Sequence, residues 1–157
     1  MKKTNAMREL DKAKINYDII EYKVDENELG AINVAAKTGN DITKVFKTLA
    51  ITNNNEDLFI VCIPGSDEVD LKKVASIVNS KKVEMLELNK LKEKTGYIRG
   101  GCSPIAIKKR HQSLIHESCL DKDFILISGG QKGLQIKIDP KDLIKFLKMK
   151  TTNLIVE

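Results

Sequence analysis

The chain has 157 residues, a formal charge of +5, 41 % hydrophobic residues and no tryptophan. That length suits one domain able to bury its own core, and no apolar run approaches the roughly 20 residues that cross a bilayer. Three cysteines, Cys62, Cys102 and Cys119, form no C-x-x-C pair, which argues against a disulfide framework and for a reducing, cytoplasmic setting.

The pattern predicts a helix over Thr4–Lys14, with Thr4 as N-cap and Met7, Leu10 and Ala13 on one stripe. A strand is expected in "YDIIEYK" (17–23), then a short helix in "AINVAAKT" (31–38) closed by Gly39. Asp41 restarts the chain, and "VFKTLAIT" runs from a bend into a strand. "NNNED" turns it into the apolar strand "LFIVCI", which Pro64 and Gly65 end. Asp70 caps a helix with Leu71, Val74, Ala75 and Val78 on its apolar face. A short strand at Val83–Leu86 follows, then a helix in "LNKLKEKT" stopped by Gly96. "IAIK", "QSLIHE" and "FILIS" all read as strands, and "SGGQKG" as the turn of a hairpin into "LQIKI". Asp139-Pro140 opens the last helix, with Leu143, Ile144 and Leu147 inward. The fold class is therefore α+β: a mixed, mostly antiparallel curled sheet or barrel with helices packed outside, in a single domain over 1–157.

Conventional chemistries find little support. His111 and His116 are five apart on a strand, hence on opposite faces, and no metal-ligand spacing occurs. Cys102, in "YIRGGCSPIA", could be a nucleophile if a histidine folded back to it, or a passive small residue in a turn. "SGGQKG" matches no nucleotide-binding fingerprint. Lys47 interrupts an apolar stretch and either snorkels outward or puts a fixed cation into a polar cavity. Lys108-Lys109-Arg110, directly after the glycine loop, is a candidate phosphate contact.

Several segments together resemble one family. "KTNAMRELDKAKINYDIIEY", "VFKTLAI", "VDLKKVASIV", "KKVEM", "TGYIRGGCSP" and "ISGGQKGLQIKI" are similar, in the same order, to the YbaK/EbsC proteins. These are bacterial deacylases of mischarged tRNA, above all cysteinyl-tRNA(Pro), and their domain also occurs as the editing insertion of prolyl-tRNA synthetases. The resemblance runs from about residue 3 to residue 150 and points to the free-standing, trans-acting form. It implies a YbaK-like fold and an essential lysine at Lys47. It further implies a positioning loop over Gly100, Gly101, Cys102, Ser103 and Pro104, and a second loop at Ser128-Gly129-Gly130. Lys47, Gly100 and Ser128 carry the implied catalytic roles. Tyr22 follows the first strand as the family tyrosine, while Leu29 stands where family members have phenylalanine. Gln135 replaces an aspartate and Ala106 a glycine, departures that bear on amino-acid preference.

The implied chemistry needs no metal and no cofactor. The substrate's own thiol would attack its carbonyl, and the enzyme would supply placement and backbone donors. Aminoacyl-tRNA, chiefly the acceptor end of tRNA(Pro), is the implied partner, with cysteinyl-tRNA(Cys) a second substrate. Prolyl-tRNA synthetase is a protein partner; DNA and membranes are not. A non-catalytic tRNA- or synthetase-binding module, and a deacylase for another small amino acid, are the alternatives.

Overall fold

A computed structural model describes residues 2–25, 27 and 30–157. Among the described residues eight strands form two sheets flanked by five α-helices. The helices are α1 (Asn5–Lys12), α2 (Ala31–Thr38), α3 (Leu71–Ile77), α4 (Leu91–Thr95) and α5 (Pro140–Leu147). The strands are β1 (Asp18–Glu21), β2 (Phe46–Asn53), β3 (Leu58–Pro64), β4 (Val83–Met85), β5 (His111–His116), β6 (Ile125–Ser128), β7 (Leu134–Ile138) and β8 (Lys150–Thr152).

The smaller sheet has the order β1-β7-β6, the larger β4-β2-β3-β5-β8. β3–β5 and β5–β8 are parallel and the other pairs antiparallel, so the sheet system is mixed and mostly antiparallel, as expected. A parallel bridge between Val45 and Leu126 ties the two sheets together just before β2. Among the described residues no ladder closes them into a barrel.

Local chemistry explains most boundaries. The Thr4 hydroxyl accepts from the Met7 N–H at 3.3 Å, and the Asp70 carboxylate accepts from the N–H groups of Lys72 and Lys73, relieving orphan donors at two helix starts. Gly39 and Gly96 end α2 and α4 with φ of 70° and 87°. β3 is buried along its whole length, because apolar clusters cover both of its faces. One cluster lies between the sheets and collects Met7 and Leu10 of α1, Phe46, Ile115, Ile127, Ile136 and Leu143. The other packs Val74 and Ala75 of α3 on Ile51, Val61 and Ile63.

Two expectations fail. "IAIK" is not a strand: Ile105 is fully buried, but Ala106 takes φ of 64°, and a left-handed residue cannot continue an extended ladder. The C-terminal strand β8 is an element the sequence reading lacks. It pairs with β5, and beyond it the Leu154 carbonyl accepts from the Asp70 N–H at 2.8 Å. Among the described residues no helix is long and apolar enough to cross a membrane.

Candidate active site

The start of β2, the end of β6 and the start of β7 converge beside two loops, and a cavity of about 140 Å³ opens between them. Tyr22, Lys47, Gly100, Cys102, Ser128 and Gln135 all line it. They come from five separate stretches of chain. Pairing explains much of this: Ser128 and Gln135 are partners in the β6–β7 register, and the Val45–Leu126 bridge brings β6 alongside the first residues of β2.

Lys47 is half-buried, paired with Ile63 across the β2–β3 ladder. It lines the cavity rather than simply escaping to solvent, and among the described residues it has no hydrogen-bond or ion-pair partner. A lysine so placed is a cation available to an oxygen-rich ligand. Gln135 is only 5 % exposed and its side-chain amide makes no hydrogen bond to another described residue. Gln135 lines the cavity, where a ligand or water can complete its amide. Among the described residues no carboxylate lines the cavity.

The two glycine loops touch backbone to backbone. A Cβ on Gly101 would stand 3.0 Å from Gln131 Cα and 3.3 Å from the Lys132 nitrogen. Behind that contact, Ser103 and Pro104 are buried, and the Ser103 hydroxyl accepts from the Ile105 N–H at 3.2 Å. In the second loop the Ser128 hydroxyl accepts from the Gly130 N–H at 3.2 Å, and Gly130 takes φ of 107°, where a side chain would be strained. Gly101, Ser103, Pro104, Gly129 and Gly130 thus form the cavity's supporting wall, while Gly100 and Cys102 reach its surface. Leu29 lies outside the described residues.

Three further residues fix this arrangement. The Thr4 hydroxyl donates to the Gly129 carbonyl at 2.7 Å while capping α1. Tyr97 donates its hydroxyl to the Ile105 carbonyl and lays its ring edge near Gly130, so it spans both loops. Thr48, next to Lys47, lines the cavity and places its oxygen 3.6 Å from Cys62 Sγ. Only Thr48 had a local signal, its place beside Lys47. Ala31 and Val34 complete the wall from one face of α2.

Cys102 is not an activated thiol. Burial pushes its pKa up to about 11, although a hydrogen bond with Thr95 works the other way. Neither histidine attends it: His111 Nδ1 lies 2.7 Å from the Lys109 carbonyl, and His116 Nδ1 accepts from the Leu154 N–H at 3.1 Å. Arg110 also sits elsewhere. It borders a cleft with Leu58 and Phe59, at the Thr52 end of β2, about 17 Å along the strand from Lys47. Arg110 is near the loop in sequence but borders the far end of the sheet.

The pattern of an aminoacyl-tRNA editing domain matches residues 26–146. The chain belongs to that family. This editing domain is 41 % identical over 142 residues to an Enterococcus faecalis protein named "Putative Cys-tRNA(Pro)/Cys-tRNA(Cys) deacylase EbsC", a match covering 90 % of this chain and 87 % of that one. Among solved structures, one described as a putative trans-editing enzyme for prolyl tRNA synthetase superposes with a TM-score of 0.84 at 17 % identity, over 97 % of this chain and 93 % of that one. The hypothetical protein APE2540 does so with a TM-score of 0.87 at 18 % identity, over 94 % and 97 %. These two likenesses show the YbaK-like fold. By family the editing domain is an aminoacyl-tRNA deacylase, a hydrolase of the ester between an amino acid and the terminal ribose of tRNA.

Proposed function

We propose that this editing domain, acting as a single unit over residues 1–157, removes cysteine from mischarged tRNA(Pro) in trans. The observation that carries the reading is the meeting of Lys47, the Gly100 backbone and Ser128 on one small cavity, with the Lys47 ammonium unpartnered among the described residues. The named activity of the Enterococcus faecalis relative supports the choice of cysteine and of tRNA(Pro), with tRNA(Cys) as a second carrier.

An aminoacyl ester is already activated, so placement and charge stabilisation supply much of the rate. The substrate sulfur attacks its own carbonyl carbon, forming a C–S bond and breaking the C–O bond to ribose. The thiol proton passes to the departing ribose oxygen, and water later opens the thiolactone. Lys47 holds the ribose–phosphate end, the Gly100–Pro104 loop presents the backbone N–H groups of Gly100 and Cys102 to the aminoacyl carbonyl, and Ser128 orients the ester or the thiol. The Gln135 amide oxygen accepts from the substrate's α-ammonium, a role suited to an amide that lines the cavity and has no partner among the described residues. The high pKa of Cys102 is consistent with chemistry that uses no enzyme nucleophile.

The test is a panel of tRNA(Pro) charged with cysteine, alanine or serine. Release of cysteine ahead of the other two is expected. Release of alanine or serine but not cysteine overturns the cysteine assignment, and no release from any overturns the activity. Adding prolyl-tRNA synthetase to the panel tests it as the protein partner: faster clearance of the mischarged tRNA is expected.

A further inference from the structure

An aminoacyl ester hangs on the ribose of the last nucleoside, so that nucleoside's base must lie within a sugar's width of the ester. A chamber for the aminoacyl group therefore needs a second space directly alongside. Among the described residues, two spaces share walls with the candidate site. The one on the Tyr22 and Lys132 side holds about 10 Å³, room for about one water. The other, about 280 Å³, shares Thr48, Gly100 and Cys102 with the candidate site.

Its walls are aliphatic. Ala50 forms the floor, Met85, Leu86, Leu88 and Leu91 form the sides, and Arg99 stands at the rim. Leu86 and Leu91 are anchored on the Ala50, Leu58 and Ile60 cluster, so the groove is built on the sheet. Met85 and Leu88 remain 44 % and 60 % exposed, two large apolar side chains on one surface that folding alone does not account for. Arg99 is exposed and has no hydrogen-bond or ion-pair partner among the described residues.

We infer that this groove is the subsite for the terminal purine base of the acceptor strand, with Arg99 meeting the strand's phosphates; the inference rests on the deacylase reading above. A flat base has two apolar faces, which aliphatic side chains can sandwich, and an unpaired guanidinium at the mouth supplies the charge that a phosphate needs. A protein partner seated in the groove would instead cover the wall that it shares with the candidate site, where the ribose must pass.

Leu88→Asp and Arg99→Ala are the variants, both at exposed positions, with thermal melts to verify folding. Adenosine monophosphate is titrated into isotope-labelled wild type, and amide shifts are expected along residues 85–91 and 99–102. With cysteinyl-tRNA(Pro), Leu88→Asp should raise KM about tenfold or more with kcat kept, the size expected for loss of one base-stacking contact. Arg99→Ala should raise KM and flatten its salt dependence. Unchanged KM in both folded variants of an active enzyme overturns the subsite and leaves the deacylase reading intact, also if those variants lose affinity for prolyl-tRNA synthetase. Groove shifts with adenosine monophosphate in a protein that deacylates nothing overturn the deacylase reading and keep the nucleoside subsite. Absence of shifts in the groove overturns the subsite.

Discussion

Gly101 and Gln131 pack against each other through bare backbone: a Cβ at 101 would sit 3.0 Å from Gln131 Cα. Neither atom set is the free end of a flexible side chain, so an added methyl must push one loop away from the other. Gly101→Ala should cost about 1–3 kcal/mol, the range for overpacking a close-fitted site, and lower the melting temperature by several degrees. Because both loops border the cavity, deacylation should fall by more than stability alone explains. Calorimetry and single-turnover kinetics on the same variant separate the two effects.

Lys47→Ala should leave the melting temperature close to wild type, since the ammonium holds no partner among the described residues. Deacylation should drop about 10²-fold or more if the cation stabilises charge on the substrate. Weakened tRNA binding with kcat preserved would favour the binding-module alternative.

Cys102→Ala should retain near-normal turnover. With its pKa near 11, Cys102 is thiolate in only about one molecule in 10⁴ at pH 7. Alkylation of Cys102 by iodoacetamide should accordingly be slow at pH 7 and accelerate tenfold per pH unit well past pH 9. An inactive but folded Cys102→Ala protein would overturn the substrate-thiol mechanism.

Ala106 occupies φ of 64°, a left-handed backbone that suits glycine better than alanine. A left-handed L-residue costs about 1–2 kcal/mol, and the extra unfolded-state freedom of glycine returns about 0.5–1 kcal/mol of that. Ala106→Gly should therefore stabilise the fold by about 0.5–1 kcal/mol, seen as a melting temperature raised by a few degrees.

His116 is buried as a neutral acceptor, and burial pulls its pKa below the ordinary 6.5, outweighing the opposing pull of Glu117 and Asp67. The unfolded chain then binds a proton near pH 6.5 that the folded chain refuses. Stability should be full above that value and decline as pH falls through it, levelling once the folded histidine also protonates. Denaturant midpoints at pH 7 and pH 5 should differ, and His116→Gln should shrink that part of the difference.

Element types were readable where local chemistry sets them. Thr4, Asp70 and Asp139 cap helices, Gly39 and Gly96 stop them, and "LFIVCI" is buried whatever its neighbours. "IAIK" misled because a short apolar run fits a strand or a buried loop equally well, and only the backbone at Ala106 decides. β8 escaped because Lys150–Thr152 carries little apolar signal; it is a strand only because β5 offers it an edge. Of the residues that line the candidate cavity, Lys47 stood out by residue type, while Gly100, Ser128 and Gln135 came from the family resemblance alone. Thr4 and Tyr97 carry no such mark, since their roles depend on contacts 125 and 33 residues away, with Gly129 and Gly130.

The Thr4–Gly129 hydrogen bond has a practical consequence for anyone dissecting this fold. The family pattern begins at residue 26, yet Thr4 steadies the second glycine loop and β1 forms the edge next to β7. A fragment trimmed to 26–146 would keep Lys47, Gly100 and Ser128 in its covalent sequence. It would lose one sheet's outer strand, the threonine clamp on the turn and the β8 edge of the other sheet. The smallest piece that holds the pocket in shape is longer than the piece by which the family is recognised.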